Sequence, residues 1–120
     1  MKRDMDLIRE LLLKIEALKI RQGETLFFDV RGLQVQGYGS DEVAYNLELL
    51  FDAGFLKGRG GADTFGIAGL AWNGHELLDD IRDPEIWRRT KERAKSVASI
   101  GLGFLWEIAK AEVKTKLGLP

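Results

Sequence analysis

Apolar positions recur at helical spacing over most of this chain, and in two stretches they alternate or crowd together instead. Ile8, Leu11, Leu12, Ile15 and Leu18 follow the i, i+3, i+4, i+7 pattern of one buried face. They predict a helix from about Asp4 to Leu18, with Asp4 as N-cap. Glu10 and Lys14 lie four apart on its other side and are placed to pair. Arg21 to Gly23 ends the element. A β-prone run follows at Leu26, Phe27, Phe28 and Val30, and then Leu33 and Val35 alternate with Gln34 and Gln36. With Arg31-Gly32 as the turn, this pattern predicts a hairpin.

Ser40 is the expected cap of a second helix, with Asp41 and Glu42 in the first turn, where negative charge suits the helix dipole. Val43, Leu47, Leu50 and Phe51 form its inner stripe. Gly54 is the expected left-handed terminator. Phe55–Gly58 and the stretch "TFGIAGLAW" read as two strands around the loop "RGGAD", the second weakened by its glycines. Asn73 and Glu76 have the spacing of a capping box, before a helix that turns Leu77, Leu78 and Ile81 inward. Asp83 caps a further helix with Pro84 in its first position. Gly101 and Gly103 interrupt the chain, and a last helix runs from about Phe104 to Leu117. The order α-β-β-α-β-β-α-α-α predicts one α+β domain, helix-rich, with small antiparallel hairpins.

Composition narrows the function without naming it. The chain has 120 residues, room for one core. Lys and Arg total 18 against 19 Asp and Glu, so a net charge of −1 gives no global pull toward nucleic acid or membrane. Without cysteine there is no disulfide and no thiolate chemistry. The first ten residues lack the apolar run of a secretory signal. The most apolar stretch, residues 97–109, is too short to span a bilayer. The expected location is cytoplasmic.

The passage "LLFDAGFLKG", a hairpin, and then "GLAWNGHELLDDI" resembles the helix-wing-helix passage of winged-helix transcription regulators. Their wing returns through a Leu-Thr-x-x-Gly step, which here reads Leu70, Ala71, Trp72, Asn73, Gly74. The whole chain resembles one family of bacterial and phage proteins, domain of unknown function 2513. The residues that carry this likeness are "MKRDMDLIRELLLKIE", "GYGSDEVAYNLELLFDAGFL" and "LAWNGHELLDDIRDPEIWRRTKE". The resemblance implies a winged-helix-like fold and an association with phages or prophages, and it supplies no function. It organises the chain as a single winged-helix-like domain over 1–120, with a core at 1–82, a wing at about 55–72 and a helical extension at 83–120. One departure stands out: a β-rich stretch replaces the helix that normally precedes the recognition helix.

On that scaffold the first expectation is a DNA-binding or regulatory protein. Lys57 and Arg59 on the wing, with Arg88, Arg89 and Lys91 from a cluster that continues to Lys95, would meet the phosphates of double-stranded DNA. Tyr45 and Asn46 would reach base edges. The bland alternatives are an ordinary hairpin with solvated charges and an amphipathic surface helix around Trp87. Against DNA, the segment Asp41–Ala53 has four carboxylates and no Lys or Arg. The alternative expectation is therefore a winged-helix module for protein–protein contact, through Asp41, Glu42 and Glu48. Phe104 and Ile108 of the last helix would meet a partner or a second copy, or simply close the core. An enzyme is not expected. His75 is a lone histidine, consecutive carboxylates at Asp79 and Asp80 diverge on a helix, and "GLGFLW" and "RGGADTFG" lack the features of nucleotide-binding loops. No cofactor, metal or membrane partner is expected.

Overall fold

The computed structural model describes residues 1–61 and 64–120; Ala62 and Asp63, within the loop expected at 59–63, lie outside the described residues. The chain divides into two compact units, 1–75 and 76–120.

In the first unit, α1 spans Met5–Ala17, and the Asp4 carboxylate caps it by accepting the Leu7 N–H at 3.1 Å. Leu7, Ile8, Leu11, Leu12 and Ile15 are buried, so the predicted face holds from Ile8 to Ile15 and is widened by Leu7, while Leu18 lies past the helix end as its C-cap and is half-buried. Glu10 faces Arg9 at 3.4 Å rather than the expected Lys14. Strand β1 covers Leu26–Asp29.

The hairpin expected after β1 does not form. The Asp29 carboxylate accepts the Arg31 N–H at 2.9 Å and turns the chain into a 3₁₀ turn over Val30–Gly32. Leu33 and Val35 are buried, as their alternation required, but they lie in irregular chain. Alternation reports which side chains go inward. It does not report a hydrogen-bonded neighbour.

Helix α2 spans Ser40–Asp52. Its N-cap is Gly39 rather than Ser40, and the Glu42 carboxylate accepts the Gly39 N–H at 3.1 Å, which supplies half of a capping box. Gly54 ends the helix at φ 78° as expected. The Phe55 N–H donates to Leu50 and the Gly54 N–H to Phe51, a Schellman arrangement. Strands β2, Leu56–Arg59, and β3, Thr64–Leu70, form an antiparallel hairpin. The true partner of β1 is β3, with Phe27 opposite Gly66, giving the sheet order β1-β3-β2.

The strand with two glycines is thus the central one. It survives there because the exposed Phe27 ring lies over Gly66, at the distance where a methyl group would sit against it. On the opposite face Phe65 and Ile67 are buried, and α1 packs on α2 and β3. Helix α3 spans Trp72–Ile81. Its first helical bond runs from the His75 N–H to Ala71, so Asn73 sits inside the first turn and is not the cap expected of it. Gly74 meets the Phe55 carbonyl so closely that a Cβ would lie 2.2 Å from the oxygen. That contact explains the glycine of the Leu-x-x-x-Gly step.

In the second unit, α4 spans Pro84–Ala94 with Asp83 as the expected cap, accepting the N–H groups of Glu85 and Ile86 at 2.9 and 3.1 Å. Helix α5 spans Leu102–Lys116 and packs on α4. Gly101 is its N-cap, and Gly103 lies within its first turn instead of breaking it. No helix among the described residues is long and apolar enough to cross a membrane.

Candidate interaction surface

The residues singled out from sequence divide sharply once placed. Asn46 is buried at 1% exposure. Its side-chain oxygen accepts the Asp4 N–H at 2.8 Å, and its amide donates to the Glu42 carbonyl at 2.9 Å. The Tyr38 hydroxyl donates to the same Asp4 carboxylate at 3.5 Å. Partial burial, with Asp4, Asp6 and Glu42 nearby, pushes the Tyr38 phenol above its ordinary value. Asn46 therefore ties α2 to the start of α1 and does not face outward, contrary to its assignment to an exposed reading surface. The exposed side of α2 holds Asp41, Glu42, Tyr45, Glu48 and Asp52, with Tyr45 at 36% exposure; Leu49 is half-buried.

The basic cluster of α4 is balanced from within. Arg88 binds Glu85 through two nitrogens, at 2.8 and 3.1 Å, and Arg89 binds the same carboxylate at 2.9 Å. Lys91 lies 5.8 Å from the Trp87 ring centre, Arg93 meets Glu112 at 3.2 Å, and Lys95 meets Glu92. Each cation of the α4 cluster already has a local acid or ring. The Glu85 carboxyl is held at about 2 by Arg88 and then Arg89, against an ordinary 4.5. A carboxyl depressed on folding adds stability above its unfolded value, and that stability is lost as pH falls through its folded value. Compared with Glu85→Gln, the wild type should keep a constant small advantage in unfolding midpoint above pH 4.5 and lose it toward pH 2. An advantage that persists undiminished at pH 2 would place its origin elsewhere.

The three aspartates near α3 serve three separate structural ends. Asp79 pairs with Arg82 at 3.0 Å, Asp80 accepts the Trp106 indole N–H at 2.7 Å, and Asp83 caps α4 and meets Lys116 at 2.6 Å. In α5, Leu105 and Ala109 are buried, Ile108 is half-buried and Phe104 is 73% exposed. His75 is exposed.

In the first unit, the two cations of β2 stand open. Lys57 and Arg59 on β2 are exposed, and neither has an ion-pair partner among the described residues. Arg59 is opposite Gly66, on the side of the sheet that carries Phe27. On the other side, an open groove of about 610 Å³ separates α2 from the turn end of the β2–β3 hairpin. Phe51 and Phe65 stack in it with ring centres 6.3 Å apart and planes 3° apart. Asp41, Tyr45, Glu48 and Asp52 line one wall. None of the three carboxylates has a cation partner among the described residues. Sequence reading missed this groove, although the spacing 41, 45, 48, 52 is that of a single helical stripe.

The family model described as "Hypothetical protein (DUF2513)" matches residues 2–101. An uncharacterized protein of Haemophilus influenzae is 31% identical over 122 residues, covering 98% of this chain and 99% of its own length. No solved structure matches the chain significantly. Asp4, Leu7, Ile8, Leu11, Leu12 and Ile15, from the opening motif "MKRDMDLIRELLLKIE", are the cap and buried face of α1. With the family model matching most of its length, the chain belongs to the DUF2513 family.

Proposed function

We propose that this protein is an interaction module of winged-helix type that meets a protein partner through the exposed face of α2, and that it does not read duplex DNA with that helix. The element order α1, β1, α2, β2, β3 and the sheet order β1-β3-β2 support the winged-helix reading. The place of the usual extra helix is taken by the 3₁₀ turn and the irregular chain that buries Leu33 and Val35. The observation that carries the proposal is the chemistry of α2. Its outward side bears Asp41, Glu42, Glu48 and Asp52, the helix has no Lys or Arg, and Asn46 is turned inward. Carboxylates against phosphate repel, and burying an unpaired charge at a contact is costly.

Lys57 and Arg59 favour a second reading, backbone contact with double-stranded DNA. Two phosphate contacts would give a slope of log affinity against log salt of only about −2, far shallower than a specific reader shows. Fluorescence anisotropy with a labelled duplex at low salt separates the two. The wild type is expected to show no binding, whereas Glu48→Lys with Asp52→Lys is expected to create some. Wild-type binding that is lost in Lys57→Glu with Arg59→Glu would overturn the interaction reading in favour of DNA.

A further inference from the structure

The groove beside α2 has a composition that selects its occupant. Asp41, Tyr45, Glu48 and Asp52 lie at i, i+4, i+7 and i+11, a stripe roughly 16 Å long at the helical rise of about 1.5 Å per residue. The floor is aromatic, from Phe51 and Phe65, and Gly60 and Gly61 form the opposite wall. Met1, which bears the α-amino group, also lines the groove, and among the described residues no lining side chain is basic.

Two acids of this stripe, Glu48 and Asp52, destabilise the helix that bears them. Glu48 and Asp52 are like charges four residues apart, a repulsive spacing. Asp52 also stands in the last turn of α2, beside the negative end of the helix dipole, and that turn holds no basic residue. In the second unit the equivalent charges are neutralised: Glu85, Glu92, Glu107 and Glu112 each have a Lys or Arg partner. A carboxylate stripe whose Glu48 and Asp52 weaken their own helix, and whose acids have no ion-pair partner among the described residues, is complementary to an external cation.

We propose that the groove seats an extended segment of a partner protein with lysine or arginine at alternate positions. This rests on the protein-interaction reading above. The aliphatic stems lie on Phe51 and Tyr45, and the charged heads reach the carboxylates. The spacing fits. Alternate side chains on one side of an extended strand are about 6.6–7 Å apart, and Glu48 and Asp52 are separated by about 6 Å along the helix axis. The open form of the groove suits a chain segment passing through it more than a small enclosed amine.

The test titrates the full chain, watched by amide and Tyr45 resonances, with a ten-residue peptide carrying lysine at alternate positions. The same peptide with glutamate in place of lysine, and spermidine, serve as comparisons. The lysine peptide is expected to shift Tyr45, Glu48 and Asp52, to weaken with salt, and to bind at least about tenfold less tightly to Glu48→Gln with Asp52→Asn. That double variant is also expected to melt a few degrees higher than the wild type, because it removes two unfavourable charges. A structural role for the acids would lower the melting point instead. Unchanged peptide binding by the double variant overturns the proposal, and so does spermidine giving the same shifts at the same affinity, which would make the groove a free-amine site. If the lysine peptide fails to bind and the wild type also binds no duplex, the groove proposal falls alone. Wild-type duplex binding through Lys57 and Arg59 removes the interaction reading itself.

Discussion

Gly58→Ala is expected to cost about 3 kcal/mol or more of folding stability, the largest effect of any single methyl group added to the first unit. Gly58 has φ 126°, a region that side-chain-bearing residues rarely enter. It also lies at the bulge between Lys57 and Gly58, where the register against β3 shifts. A Cβ there would sit 2.0 Å from the Gly66 carbonyl oxygen and 2.9 Å from its carbon. Both are backbone atoms of the central strand, so no side-chain rotation relieves the clash. The added methyl has to push β2 off β3, which breaks ladder hydrogen bonds and carries Lys57 and Arg59 away from their present positions. Denaturant unfolding should show a lower midpoint. Gly103→Ala is the control: it lies inside α5 with open space around the added atom, and it is expected to be neutral or stabilising by about 0.5–1 kcal/mol. Equal effects at the two sites would mean that the bulge imposes no constraint.

The helices were legible in the sequence and the sheet was only half so, for a physical reason. Asp4, Gly54 and Asp83-Pro84 act on their own few residues, so caps and terminators announce α1, α2 and α4 locally. The neighbour of β1 is a matter of which distant strand has a matching face. Phe27 needs Gly66 and Gly66 needs Phe27, and nothing near either residue says so. The alternation at Leu33 and Val35 was real, and Asp29 decided against a hairpin by bending the chain early. On the surface, the spacing of Glu85 to Arg88 and Arg89 already contained the pairing that neutralises that cluster. The open carboxylates of α2 could be read as a stripe. The aromatic floor opposite them could not, because Phe51 and Phe65 come from different elements.

Asn46 shows how a functional assignment fails when polarity is allowed to override spacing. Its position, three after Val43 and four before Leu50, is on the buried stripe, and only its side chain suggested otherwise. Asn46→Ala is expected to lose about 2 kcal/mol, because the Asp4 N–H is left without its partner in a partly buried site. Asn46→Asp should be worse at neutral pH, about 3 kcal/mol or more, since a buried carboxylate would then stand beside the Asp4 carboxylate and in place of a donor to the Glu42 carbonyl. Burial and neighbouring acids raise the carboxyl value of such an aspartate on folding. Its penalty is therefore full above the raised folded value, shrinks as pH falls through that value, and is gone below the unfolded one. The gap between Asn46→Asp and wild type should narrow on acidification, while the gap for Asn46→Ala stays level. Thermal melts across the acid range read both. Parallel curves for the two variants would mean that Asn46 contributes only packing, and the clasp between Asp4 and α2 would then be no more than a coincidence of position.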